Sequence, residues 1–136
     1  MRIQEEGVSM LDPNLDILVV EDDPVTRRMV KRHLQRLGIE TFREAEDGKV
    51  ALEEIKRQQP QLVITDWSMP KLNGLELVQI LQSHESLQHI PVLLMTSRSD
   101  KADILAAAHE GVRSYLVKPF DAATLEIKMS KILDRE

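Results

Sequence analysis

Carboxylates, a hydroxyl and an ammonium stand at the ends of four short apolar runs in this chain, and phosphoryl transfer uses those groups together. Asp16-Ile17-Leu18-Val19-Val20 runs into Glu21-Asp22-Asp23, and Leu62-Val63-Ile64-Thr65 runs into Asp66. Val92-Leu93-Leu94-Met95 runs into Thr96, and Tyr115-Leu116-Val117 runs into Lys118. Carboxylates hold a hard divalent cation, while a hydroxyl and a lysine grip phosphoryl oxygens. The chemistry needs all of them in one place, so the fold must gather residues scattered over a hundred positions.

The apolar runs supply the means. Near-continuous Val/Ile/Leu stretches separated by helical patterns read as strands of a parallel sheet covered on both faces. In such sheets the functional crevice lies beyond the carboxyl ends of the strands, where Glu21, Asp22, Asp66, Thr96 and Lys118 would meet.

Between the strands the helical signals are regular. Val30, Leu34 and Leu37 recur at i, i+4 and i+7, giving an amphipathic helix from Pro24 to Leu37 closed by Gly38. Ile39 to Ala45 reads as a second strand, less apolar and so placed at an edge. Gly48 to Gln58 is a helix stopped before Pro60, Gly74 to Ser83 a third, and Lys101 to Glu110 a fourth ended by Gly111. The last helix runs from Asp121, a suitable N-cap, to Leu133. Met1 to Leu15 is a polar lead with no clear period, expected to be irregular; residues 16–136 form one domain. Short loops between βα units imply right-handed crossovers and a three-layer α/β sandwich.

Composition narrows the function classes. At 136 residues the chain is one domain that can bury a core without disulfides, and it has no cysteine for a thiol nucleophile or zinc-thiolate site. The formal net charge of -5 and the scarcity of aromatics (Phe42, Trp67, Tyr115, Phe120) argue against direct nucleic-acid binding. No run reaches transmembrane length, and the acidic N-terminal stretch is not a signal peptide, so the reading is a cytoplasmic protein with no membrane partner.

Each piece of the constellation has a plainer explanation. The triplet Glu21-Asp22-Asp23 alone fits a solvated loop capping the helix at Pro24 as well as it fits a metal site. Asp66 is harder to explain as a cap, because the next helix begins well downstream, past Pro70 and Gly74. Two acidic clusters following adjacent strands favour Mg²⁺, which takes oxygen ligands and keeps several waters. Lys118 beside them would be charged and partly desolvated, paired with Asp66 or a phosphoryl oxygen. The histidines His33, His84, His89 and His109 show no ligand spacing and suit surface or interhelical roles. Arg27, Arg28, Lys31, Arg32 and Arg36 give the first helix a basic face, either solvated or a docking surface for a kinase.

Together the motifs Leu18-Val19-Val20-Glu21-Asp22-Asp23, Asp66 with Met69-Pro70 and Gly74, Met95-Thr96-Ser97 and Lys118-Pro119-Phe120 resemble the receiver domain of bacterial response regulators. The stretches Asp66-Trp67-Ser68-Met69-Pro70, Gly74-Leu75-Glu76-Leu77 and Ala122-Ala123-Thr124-Leu125-Glu126 are most similar to its chemotaxis regulators. The resemblance implies a flavodoxin-like three-layer sandwich whose five-stranded parallel sheet has order 2-1-3-4-5, with helices on both faces. It implies that Asp66 is the phosphoacceptor for a sensor histidine kinase or phosphotransfer protein, and that the phosphorylated face binds a downstream partner protein. Mg²⁺ would be held by Asp22, Asp66 and the Ser68 backbone carbonyl, with Glu21 acting through a water. Thr96 and Lys118 would bind phosphoryl oxygens, Tyr115 would be the aromatic switch, and Asp23 an onlooker. The Lys118–Pro119 bond would be cis, an isomer that X–Pro bonds adopt at little cost. Side chains at Ser68 and Arg98 would flank the path of the hydrolytic water, giving slow dephosphorylation. Such a protein promotes only its own phosphorylation and dephosphorylation and is not an enzyme toward separate substrates.

Two other classes compete. One is a receiver cut from a longer regulator with a DNA-binding or cyclase output domain. The other is a small Mg²⁺-dependent phosphatase, but those enzymes carry an Asp-x-Asp nucleophile pair after the first strand, whereas Glu21 and Asp22 are adjacent here and the candidate nucleophile follows the third.

Overall fold

A computed structural model describes residues 11–97 and 101–134. Strands and helices alternate: β1 (Ile17–Val20), α1 (Pro24–Arg36), β2 (Arg43–Ala45), α2 (Gly48–Arg57), β3 (Leu62–Asp66), α3 (Gly74–Gln82), β4 (Val92–Thr96), α4 (Lys101–His109), β5 (Ser114–Val117) and α5 (Ala122–Leu133). The strands form one parallel sheet in the order β2-β1-β3-β4-β5, the flavodoxin-like arrangement the resemblance implied.

Successive residues of each strand serve opposite faces, so the central strands are apolar until the carboxyl ends of β3 and β4, where Thr65, Asp66 and Thr96 stand. Leu18, Val20, Val63 and Leu94 pack with Ala51 and Ile55 of α2, Leu77 and Leu81 of α3 and Ala107 of α4. Ile17, Val19, Ile64, Leu93 and Met95 face the other way, onto Val30 and Leu34 of α1 and Leu125, Met129 and Ile132 of α5. Burying one Leu or Ile side chain stabilises by roughly 1.5–3 kcal/mol, against about 0–1 kcal/mol for an exposed ion pair. The two apolar layers therefore set the sandwich, and the surface charges decorate it.

β2 is shorter than the sequence predicts, because Ile39 belongs to the end of α1. Ile39 N–H donates to Leu34 O at 3.0 Å and Gly38 N–H to Gln35 O at 3.0 Å, with Gly38 at φ 89. That is a Schellman cap, in which the residue after the glycine packs back on the helix. Ile39 is fully buried for this reason, not because it lies in a strand. Gly111 closes α4 in the same way, through Val112 N–H to Ala107 O and Gly111 N–H to Ala108 O, both 3.1 Å. Of the N-terminal lead, residues 1–10 lie outside the described residues, and Leu15 is buried against the α1/α5 layer.

Register brings the strand ends level. Val20 pairs with Thr65, Asp66 with Met95, and Thr96 with Val117. The residues immediately beyond β1 and β5 and those ending β3 and β4 therefore share one edge of the sheet.

Candidate phosphoryl-transfer site

The chain leaves β1 with Glu21 N–H donating to Ala45 O of β2 at 3.0 Å, which continues the sheet one residue further and turns the Glu21 side chain into the crevice. Glu21 is 1% exposed and Asp66 7% exposed, while Asp22 is open to solvent. One carboxylate oxygen from each of Glu21, Asp22 and Asp66 lies within 4.8 Å of the others. From β5, Lys118 reaches across with Nζ 3.0 Å from Asp66 Oδ1 and 3.5 Å from Glu21 Oε1. Its backbone N–H donates to Thr96 O at 2.8 Å, and Lys118–Pro119 is a cis bond. Thr96, 1% exposed, ends β4 beside Asp66.

The electrostatics follow from that crowding. Burial pushes the Glu21 carboxyl up to about 7; the Asp23 N–H pulls it down, the Asp66 charge raises it, and Lys118 lowers it again. Burial works to lower the Lys118 ammonium, yet its hydrogen bond and charge contact with Asp66, aided by Glu21, leave its pKa raised. Lys118 is thus held charged beside two carboxylates. The convergent donors are all carboxylate oxygens, and Lys118 offsets only part of their charge, so the donor set fits a hard divalent cation.

The remaining candidates are placed as follows. Asp23 accepts from Val25 N–H and Thr26 N–H as the α1 N-cap, and from Thr26 Oγ1 at 2.7 Å, so it caps α1 as the plainer explanation held. Ser68 is exposed in the loop after β3. Tyr115 and Thr96 both border a small cavity of about 120 Å³ that Trp67 and Ile104 also line. Lys128 Nζ lies 5.0 Å from the centre of the Tyr115 ring. Arg98 lies outside the described residues.

Residues 17–130 match the model of the response regulator receiver domain. The chain belongs to the response regulator receiver family. This receiver is 42% identical over 127 residues to chemotaxis protein CheY-3 of Vibrio cholerae, covering 93% of this chain and 98% of that protein. It superposes on the crystal structure of Vibrio cholerae CheY4 with TM-score 0.79 at 28% identity, over 87% of this chain and 98% of that one. A third relative is the receiver domain of a Pseudomonas aeruginosa sensor histidine kinase, solved with a magnesium ion coordinated in its active-site cleft. Its TM-score is 0.79 at 26% identity, over 88% of this chain and 97% of that one.

Some of the receiver's contacts were not legible in its sequence. Arg27 of the basic face is tied down: its Nη1 donates to Glu21 O at 2.7 Å and its Nε pairs with Glu44 at 3.1 Å, where Lys31 also pairs at 3.1 Å. Arg28, Arg32 and Arg36 remain exposed. His33 Nε2 is 3.1 Å from Phe120 O, which ties α1 to the segment leading into α5, and His84 Nδ1 is 2.8 Å from Ile80 O at the end of α3. Asp47 and Gly48 carry an ordinary helix-start signature, yet they touch the loop after Asp66; nothing local in the sequence announces so distant a contact. Among the described residues no helix is long and apolar enough to cross a membrane.

Proposed function

We propose that this receiver accepts a phosphoryl group on Asp66 from the phosphohistidine of a sensor kinase or phosphotransfer protein, and that the modification switches its binding to a separate partner protein. The observation that carries this reading is the convergence of Glu21, Asp22 and Asp66 with the Lys118 ammonium 3.0 Å from Asp66 Oδ1. The near-full-length similarity to a chemotaxis protein supports a chemotaxis-type, cytoplasmic regulator.

An Asp66 carboxylate oxygen forms the new bond to phosphorus as the P–N bond to the donor imidazole breaks, and the bonding pair returns to the imidazole. Transfer of this kind rests on positioning and charge stabilisation more than on covalent help from the protein. Lys118, kept charged by its carboxylate neighbours, pairs with a phosphoryl oxygen once Asp66 is an acyl phosphate, and the Thr96 hydroxyl donates to another. Asp22, Asp66 and the Ser68 carbonyl, with Glu21 through a water, would hold Mg²⁺, which supplies positive charge to neutralise the transferring group. Drawing Thr96 toward the phosphoryl group would alter the space beside Tyr115, which borders the same cavity, and so carry the change to the β4–β5 surface. The protein acts only on its own phosphorylation state.

The test uses acetyl phosphate with Mg²⁺ and intact-mass measurement. One added phosphoryl group is expected on the parent and none on Asp66→Asn. Full modification of Asp66→Asn would overturn the assignment.

A further inference from the structure

The loop joining β3 to α3, residues 67–73, leaves the phosphoacceptor and carries Ser68. It is fastened at both ends. At the inner end Gly74 N–H donates to Trp67 O at 2.9 Å, and a Cβ on Gly74 would run into the Asp66 carbonyl. At the outer end the fastening comes from another helix. Gly48, in the first turn of α2, donates its N–H to Leu72 O at 3.2 Å, and a Cβ there would run into the same oxygen. Asp47 beside it is 3% exposed; its Oδ1 accepts from Val50 N–H at 2.8 Å to cap α2, and its Oδ2 lies 3.7 Å from Lys71 Nζ.

Between these points the backbone is strained. Leu72 N–H donates to Pro70 O at 2.8 Å, closing a three-residue turn around Lys71, whose φ is 70. A three-residue turn with positive φ at its centre is rare, and a residue with a Cβ is disfavoured there. Such a conformation persists only where its surroundings over-determine it, and strain of this kind collects at functional sites. Here the surroundings are Pro70 and the start of α2. The Lys71 side chain is 67% exposed, so its ion pair contributes little by itself. The backbone contact of Gly48 with Leu72, with Asp47 fixing where Gly48 sits, does the holding.

We propose that Asp47 and Gly48 are positioning residues for phosphorylation: from a helix that supplies no ligand, they fix the β3–α3 loop, and with it Ser68, against Asp66. The inference rests on the reading of Asp66 as phosphoacceptor with a cation beside it. A displacement of about 1 Å in such a site can cost on the order of a hundredfold in rate.

The experiment compares Gly48→Ala with the parent and with Ile55→Val, which trims the buried face of α2 about two turns beyond Gly48 and leaves Asp47 and Gly48 unchanged. Gly48→Ala is expected to weaken Mg²⁺ binding about tenfold by calorimetric titration, and to slow phosphorylation by saturating acetyl phosphate at least as much. Amide exchange at Leu72 should accelerate in Gly48→Ala and stay parental in Ile55→Val. Asp47→Ala, which removes the cap without adding a clash, should move the same readouts in the same direction but less, and it serves if Gly48→Ala does not fold. Parental Mg²⁺ affinity and rate in folded Gly48→Ala, or equal losses in Ile55→Val, would overturn the proposal. A parent that responds to neither Mg²⁺ nor acetyl phosphate overturns the functional reading instead; the anchoring of the loop then stands or falls on the exchange at Leu72 alone.

Discussion

Glu21 shows how a single buried side chain links proton, metal and stability. Its carboxyl is held at about 7 against an ordinary 4.5, chiefly because it is buried. The folded state therefore binds this proton more tightly than the unfolded chain does. Stability from Glu21 is complete below its unfolded value and is lost as pH rises through about 7. The full shift corresponds to at most roughly 3–4 kcal/mol. Urea unfolding of metal-free protein is expected to give a lower stability at about pH 8 than at about pH 5, and Glu21→Gln should flatten that difference. An identical pH dependence in parent and variant would assign the loss to other groups. A cation drawn by the same carboxylates competes with this proton, so the apparent affinity for Mg²⁺ should strengthen as pH rises through the same window.

At the scale of elements, the acidic triplet after β1 divides its labour. Glu21 is turned inward by the extended backbone, Asp22 stands at the crevice mouth, and Asp23 closes the start of α1, its pKa lowered by the hydrogen bonds from Thr26. Asp23→Ala is expected to lower the melting temperature by a few degrees through loss of the N-cap, while acetyl phosphate still modifies Asp66. Loss of phosphorylation in a folded Asp23→Ala would give Asp23 a direct part in the site. The strands that position the site were legible because apolar runs and turn residues are local signals. The cap at Asp121 and the glycine ends of α1 and α4 were legible for the same reason. What escaped was one local cap and the contacts between distant residues. Ile39 looks like the first residue of a strand, and only its hydrogen bond back to Leu34 shows that it completes a helix. Asp16 looks like the start of β1, yet it and Glu54 hold Arg43, which also donates to Gln58 O at 2.8 Å. The burial that raises the Glu21 pKa is equally invisible in a triplet of acids that reads as solvated.

For the whole molecule the issue is what the fold must pay to keep its site. With a formal net charge of -5 the protein repels itself, and Glu21, Asp22 and Asp66 concentrate part of that charge in one crevice. Two apolar layers hold the sheet against this repulsion, and a cation bound only by the folded state adds to them by mass action. At ten times its dissociation constant such a ligand contributes about 1.4 kcal/mol. In a domain of this size that raises the melting temperature by about 5 °C. Mg²⁺ is expected to produce that rise in the parent, measured against NaCl of equal ionic strength to remove general screening. Asp22 is exposed, so Asp22→Ala removes an oxygen donor without opening a cavity, and the variant should fold as the parent does. The expected result is that the Mg²⁺-dependent rise disappears in Asp22→Ala. A rise of equal size there would mean that the cation acts on the net charge of the whole surface, and the three carboxylates would then be crowded without being a metal site.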